Sequence, residues 1–217
     1  MSRKHKEEAA CPDCGAVRRV TVWDSINLSK NPEMKERVLS RSAFRYRCPA
    51  CGRESLLDYG FLYHDPRARL MIYYVCSDED EKEAHDIFAG ESDLMVLKAE
   101  LRRTYTCRIV RTQEDLIEKI RLFDAGRDDR VIEVYKAFAM LEILEGEPAS
   151  TADHLTYLCD DEGREAFAIT GGGRHLGNAA FQAGFYDQLA AALRDRLPRG
   201  EYLIDNAWAL RMMKQLS

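Results

Sequence analysis

The segment YRCPACGRES, residues 46–55, decides how this chain is read, because its two cysteines stand two residues apart and a glycine follows them. The same pattern, Cys-Pro-x-Cys-Gly, occurs near the N-terminus in CPDCG, residues 11–15. Cys11, Cys14, Cys48 and Cys51 together give C-x2-C … C-x2-C, the spacing of a four-thiolate tetrahedral metal site. Pro12 and Pro49 fix φ at the start of each tight turn. Gly15 and Gly52 permit the positive φ that aims backbone N–H groups at sulfur.

The 33 residues between Cys14 and Cys48 exceed the usual ribbon gap of about 15 to 20. Doubling a loop costs only about 0.6 kcal/mol, whereas metal binding contributes on the order of 10 kcal/mol. The long gap therefore does not defeat the metal. One CPxC alone is also a thiol-redox pattern, but two copies, each trailed by glycine, point to a shared ion. Zn2+ is favoured over iron for this ligand set. Four thiolates on a divalent ion leave excess negative charge, which Arg18, Arg19, Arg45, Arg47 and Arg53 stand close enough in sequence to offset. All four positions are filled by protein, so the site reads as structural rather than catalytic.

Seven cysteines, four of them in the two pairs, argue against a disulfide framework. The N-terminal MSRKHKEEAA lacks the apolar segment of a signal peptide, and no run approaches the length of a membrane span. The expected location is cytoplasmic, where thiols stay reduced. Residues 1–60 hold 12 Lys and Arg against 8 Asp and Glu, while residues 61–217 hold 20 against 29. A segment of +4 joined to a remainder of −9 is a poor electrostatic footprint for nucleic acid, so binding to it is not expected.

The predicted fold class is α+β: an N-terminal zinc-ribbon-like antiparallel β element with helices, then a smaller α+β C-terminal part. Residues 1–10 read as a flexible tail. VRRVTVWDSIN (17–27) and AFRYRC (43–48) read as strands around the two knuckles, with a short helix at NPEMKERVLSRS between them. Residues 54–76 read as a hairpin turning at Asp65-Pro66, and SDEDEKEAHD (77–86) as a solvated acidic loop. TQEDLIEKIRLFDAG, capped by Thr112, and DDRVIEVYKAFAMLEIL read as helices. EGEPAST (145–151) reads as a linker. Beyond it come a hairpin around Asp161-Glu162-Gly163, a loop TGGGRHLGN (170–178), an amphipathic helix at NAAFQAGFYDQLAAALRDRL, a strand EYLI and a final helix. The domain reading is a tail (1–10), a first domain (11–145, with a ribbon at about 11–76 and a helical part at about 91–145) and a C-terminal segment (146–217).

The two Cys-Pro-x-Cys-Gly motifs resemble those of the bacterial CpXC family, and LYHD (62–65), LIEKI (116–120) and DDRVIEVYK (128–136) look similar too. The resemblance covers roughly residues 11–145. It implies a bacterial cytoplasmic protein whose metal ligands are Cys11, Cys14, Cys48 and Cys51, and it implies no particular activity.

Two function classes follow. The first is a zinc-binding module that serves an as yet unidentified protein partner. The second is an enzyme with its site away from the metal, using His64 as a base and Asp65 as its orienting carboxylate. A nucleic-acid-binding ribbon is a subclass of the first. Asp128 and Asp129 could join Glu133 around a metal, although acids at a helix start are explained equally by the helix dipole. TGGGRHLGN lacks the Lys-Ser/Thr of a phosphate loop. Cys76, Cys107 and Cys159 sit among apolar neighbours and read as buried core thiols.

Overall fold

A computed structural model describes residues 2–92, 98–147, 149–160 and 162–216. Among them the chain is α+β, with ten strands and seven helices, and it divides into two compact units, Met1–Ile117 and Glu118–Ser217.

In the first unit, β1 (Arg3–Ala10) and β2 (Val17–Asn27) form an antiparallel hairpin whose connection is the first cysteine pair. Residues 1–10, expected as a tail, are thus mostly strand. No side chain of β1 is buried, so its ladder hydrogen bonds hold it with no apolar alternation to betray it. In β2, Val20, Val22 and Ile26 alternate into the core. α1 (Met34–Leu39) buries Met34 and Val38. β3 (Arg45–Arg47) and β4 (Glu54–Leu56) then form a second antiparallel hairpin, connected by the second cysteine pair.

The chain continues through β5 (Phe61–Asp65) and β6 (Leu70–Tyr74), which pair across the expected turn. The acidic run is not a loop but α2 (Asp78–Ala89). Ser77 Oγ accepts from the Asp80 amide at 3.1 Å, and Asp78, Glu79, Asp80 and Glu81 stand at the positive end of the helix dipole. Ala84, Ile87 and Phe88 are its buried residues, and Gly90, at φ 80°, ends it. After α3 (Ala99–Thr104) comes β7 (Thr106–Val110). Residues 93–97 of the expected helical part lie outside the described residues. The five strands run in the order β1-β2-β5-β6-β7, with β2/β5 and β6/β7 parallel and the other two pairs antiparallel.

α4 (Gln113–Asp124) starts on the expected N-cap: Thr112 Oγ1 accepts from the Asp115 amide at 3.0 Å and donates to Asp115 Oδ2 at 2.7 Å. The two units divide within this helix, ahead of the linker at 145–151. The reason lies in α5 (Asp129–Gly146), which packs on elements further along the chain. These are β8 (His154–Cys159), α6 (Ala183–Leu193) and α7 (Asn206–Leu216), and β9 (Glu165–Gly171) and β10 (Arg174–Ala180) complete the unit. The strands form an antiparallel sheet in the order β10-β9-β8. Val134, Tyr157, Phe167, Trp208 and Ala209 form the centre of this core.

Two expectations are corrected in this unit. TGGGRHLGN is no strand-to-helix loop: Gly172 and Gly173, at φ 57° and 73°, turn β9 into β10, and Asn178 lies within the strand. EYLI forms no strand, although Ile204 is buried. Asp161, in the other expected turn, and Pro148 of the linker lie outside the described residues.

Candidate metal centre

The two cysteine pairs are built alike. In the first, the Cys11 amide donates to Ala16 O at 3.1 Å and the Gly15 amide to Cys11 O at 2.9 Å. In the second, the Cys48 amide donates to Arg53 O and the Gly52 amide to Cys48 O, both at 2.8 Å. Gly15 and Gly52 have φ of 69° and 73°, the left-handed conformation expected of them. A side chain at either glycine would meet no neighbour, so the demand for glycine is one of backbone conformation, not of space. The second hairpin is tied at its base, where the Leu57 amide donates to Phe44 O at 2.7 Å. Phe44 is fully buried against Phe61 and Tyr59, at centroid distances of 5.6 and 6.0 Å.

These turns bring all four sulfurs within 4.8 Å of one another. Cys11 Sγ lies 3.7 Å from Cys51 Sγ, and Cys14 Sγ lies 3.8 Å from Cys48 Sγ. Both contacts cross from one hairpin to the other. They are far longer than a disulfide of about 2.05 Å. They match the edge of about 3.8 Å that follows for a tetrahedron with metal–sulfur bonds of about 2.3 Å. Among the described residues, these cysteines form the one cluster of side chains placed to hold a metal ion. Cys11 and Cys48 are buried, while Cys14 and Cys51 are exposed.

The sulfurs do not ionise alike. The Cys51 and Ala50 amides point at Cys48 and hold its thiol down at about 6. Cys51 receives the Arg53 amide, but local desolvation and the three other sulfurs outweigh that donor and push it up to about 12. One thiolate is welcome and the next is resisted. Four sulfurs this close reach full ionisation when a cation compensates them, so metal capture here displaces protons.

Four of the five arginines near the pairs are engaged within the protein. Arg45 meets Glu54 at 3.8 Å, Arg53 meets Asp13 at 3.2 Å, Arg47 Nε donates to Gly52 O at 3.3 Å, and Arg18 Nη1 donates to Val17 O at 2.8 Å.

His64 and Asp65 do not form a base and orienter. Asp65 Oδ1 accepts from the Arg67 and Ala68 amides at 3.0 and 3.2 Å, which fixes the turn, and Asp65 faces Lys35 at 3.7 Å. His64 contacts Asn27 Nδ2 through Nδ1 at 3.2 Å and Tyr105 Oη through Nε2 at 3.4 Å. Asn27 Oδ1 already accepts from the Ser29 amide, so Nδ2 is left to donate to His64 Nδ1. Burial holds His64 below its usual range, which favours the neutral ring.

Asp128, Asp129 and Glu133 do not converge as ligands either. Asp128 caps α5, accepting from the Arg130 amide at 3.0 Å. Asp129 and Glu133 instead join a buried ionic network that sequence reasoning did not find. Lys119 Nζ lies 3.1 Å from Asp129 and 3.0 Å from Glu133, while Lys136 Nζ lies 3.1 Å from both Glu133 and Glu118. Glu118 Oε1 also accepts the Tyr157 amide at 2.6 Å. Of the remaining cysteines, Cys107 is buried as expected, Cys159 is partly exposed, and Cys76 is exposed rather than buried.

The family model described as CpXC protein matches residues 9–136, more than half of the chain. The match takes in all four clustered cysteines and all five residues of the ionic network. No curated protein and no solved structure matches the chain significantly.

Proposed function

The chain belongs to the CpXC protein family, and we propose that its four cysteines hold a structural zinc ion in a module that binds a protein partner. The observation that carries the reading is the pair of sulfur–sulfur contacts, 3.7 and 3.8 Å, between hairpins whose paired cysteines are 40 and 34 residues apart. Zinc suits them: it takes four thiolates in a tetrahedron without a redox cycle. When bound, it supplies a cross-link and neutralises part of the thiolate charge.

The chain's own residues do the rest. The glycine turns present the sulfurs, the amides of Ala50, Cys51 and Arg53 stabilise them as thiolates, and Phe44 anchors the second hairpin in the core. Four protein ligands leave the metal no position for a substrate or water, which favours a structural role over catalysis. A reducing compartment such as the cytoplasm suits thiols that must stay unpaired.

The surface beside the pairs supports a protein partner over nucleic acid. Val17 and Leu56, on the two hairpins, are 52% and 49% exposed, while most of the nearby arginines are already occupied. Cross-linking of the metal-loaded protein in its native cell, compared with a Val17→Asp/Leu56→Asp variant that still holds metal, tests this. Loss of a specific cross-linked protein in the variant supports the reading, and an unchanged pattern refutes it.

A further inference from the structure

Tyr46 lies in β3 two residues before Cys48, a separation that sends both side chains to the same face of an extended chain. Its ring is partly exposed, but its hydroxyl oxygen is sealed from solvent and makes no aligned hydrogen bond among the described residues. The ionisable groups around this hydroxyl are the Cys48 sulfur, which is within hydrogen-bonding reach, the Cys11 sulfur and the Arg18 guanidinium. A buried donor without a partner is unusual enough to require a reason. Here the neighbour supplies one: the Cys48 sulfur, which accepts hydrogen bonds as a thiolate.

We propose that Tyr46 is a positioning residue of the metal centre, whose hydroxyl donates a hydrogen bond to the metal-bound Cys48 sulfur and so sets how firmly the ion is held. The inference rests on the reading of the four cysteines as a metal site. Cys48, like Cys11, is buried and takes its donors from the protein, so the hydroxyl would add to the Cys51 and Ala50 amides, whereas Cys14 and Cys51 are exposed and can receive water. The excess negative charge of four thiolates makes each donor count, and outer partners of this kind orient ligands and tune their basicity.

The test replaces Tyr46 by Phe in the full chain, which keeps the ring and removes only the oxygen. Cobalt(II) and zinc are the probes. In the cobalt-loaded protein, a hydrogen bond on sulfur lowers the energy of its lone pairs, so the sulfur-to-cobalt charge-transfer band of Tyr46→Phe should move to longer wavelength. Zinc transfer to a chromogenic chelator should speed up about tenfold or more, the usual scale for losing an outer-shell partner. Tyr59→Phe serves as the control, since it removes another buried, unpaired hydroxyl from the same unit and should change neither readout. Wild-type and Tyr46→Phe proteins that each bind one metal, with the same band and the same transfer rate, would overturn the role of Tyr46 and leave the metal site standing. A wild-type chain that binds no metal would overturn both.

Discussion

Cys14 and Cys48, 34 residues apart in the chain, place their sulfurs 3.8 Å apart, one exposed and one buried. The contact links the tip of one hairpin to the tip of another. Little else needs to hold those tips together if an ion does, and this makes the hairpins' stability a function of metal.

Replacing Cys48 by Ser should therefore do more than lower affinity. Structural metal binding is worth on the order of 10 kcal/mol, comparable with the whole stability of a typical domain, about 5–15 kcal/mol. Limited proteolysis should cut the variant within residues 1–60 while residues 118–217 resist. A variant that keeps wild-type protection and loses only a thiol-exchange activity would favour a redox role.

The buried network in the second unit should be costly to break and cheap to replace whole. Lys136→Met leaves Glu118 and Glu133 buried with less compensation, so denaturant unfolding should show a loss of about 3–5 kcal/mol. Replacing Glu118 in the same protein by Gln should recover part of that loss, because one stranded charge is removed. Equal and additive losses from the two changes would show that the groups are not coupled.

The network also fixes how that unit responds to pH. Burial alone would raise Glu133, but Lys119 and Lys136 overcome it and hold the carboxyl below its ordinary 4.5. A depressed acid contributes stability above its unfolded value, and that stability is lost as pH falls through the folded one. Burial alone would lower Lys119 and Lys136, but their carboxylate partners overcome it and raise both above 10.5. Raised lysines contribute stability below 10.5 that is lost as pH climbs through their folded values. Glu118 opposes the acid loss, since burial raises it and protonation relieves its cost. Denaturant midpoints for residues of this unit should be flat near neutrality and fall below about pH 4 and above about pH 10. A midpoint that rises above pH 10 would contradict the assignment.

Much of this was written openly in the sequence, and the exceptions have physical causes. The cysteine pairs were legible because a metal site needs fixed residue types at fixed spacing, and β2 because Val20, Val22 and Ile26 must face the core. β1 was not, since an exposed edge strand needs only its backbone. The acidic run concealed α2 because charge density is a surface signal. Ser77 before it, and Ala84, Ile87 and Phe88 along it, are the helix signals that outrank charge. Glu118, Lys119 and Lys136 carry no mark of burial in the sequence, and Glu133 reads there only as a candidate ligand, because nothing local records that two helices will bury them against each other. Tyr46 was silent for the same reason: an unpaired hydroxyl exists only in three dimensions.

Nucleic acid should bind weakly. Residues 1–60 carry a net charge of only +4, and among their cations Arg45 and Arg53 already face Glu54 and Asp13. Few cations remain to displace phosphate counterions, so fluorescence titrations with duplex and single-stranded oligonucleotides should show a shallow salt dependence. Submicromolar affinity that survives about 150 mM salt would instead make the hairpins a nucleic-acid reader.

The central claim is that Cys11, Cys14, Cys48 and Cys51 together hold one zinc ion. Elemental analysis of protein purified gently, without chelators or added metal, tests it most directly. One zinc per chain, falling to none in Cys48→Ser, is the predicted result. Protein that folds and resists protease with no metal, or that carries stoichiometric iron in place of zinc, would contradict it.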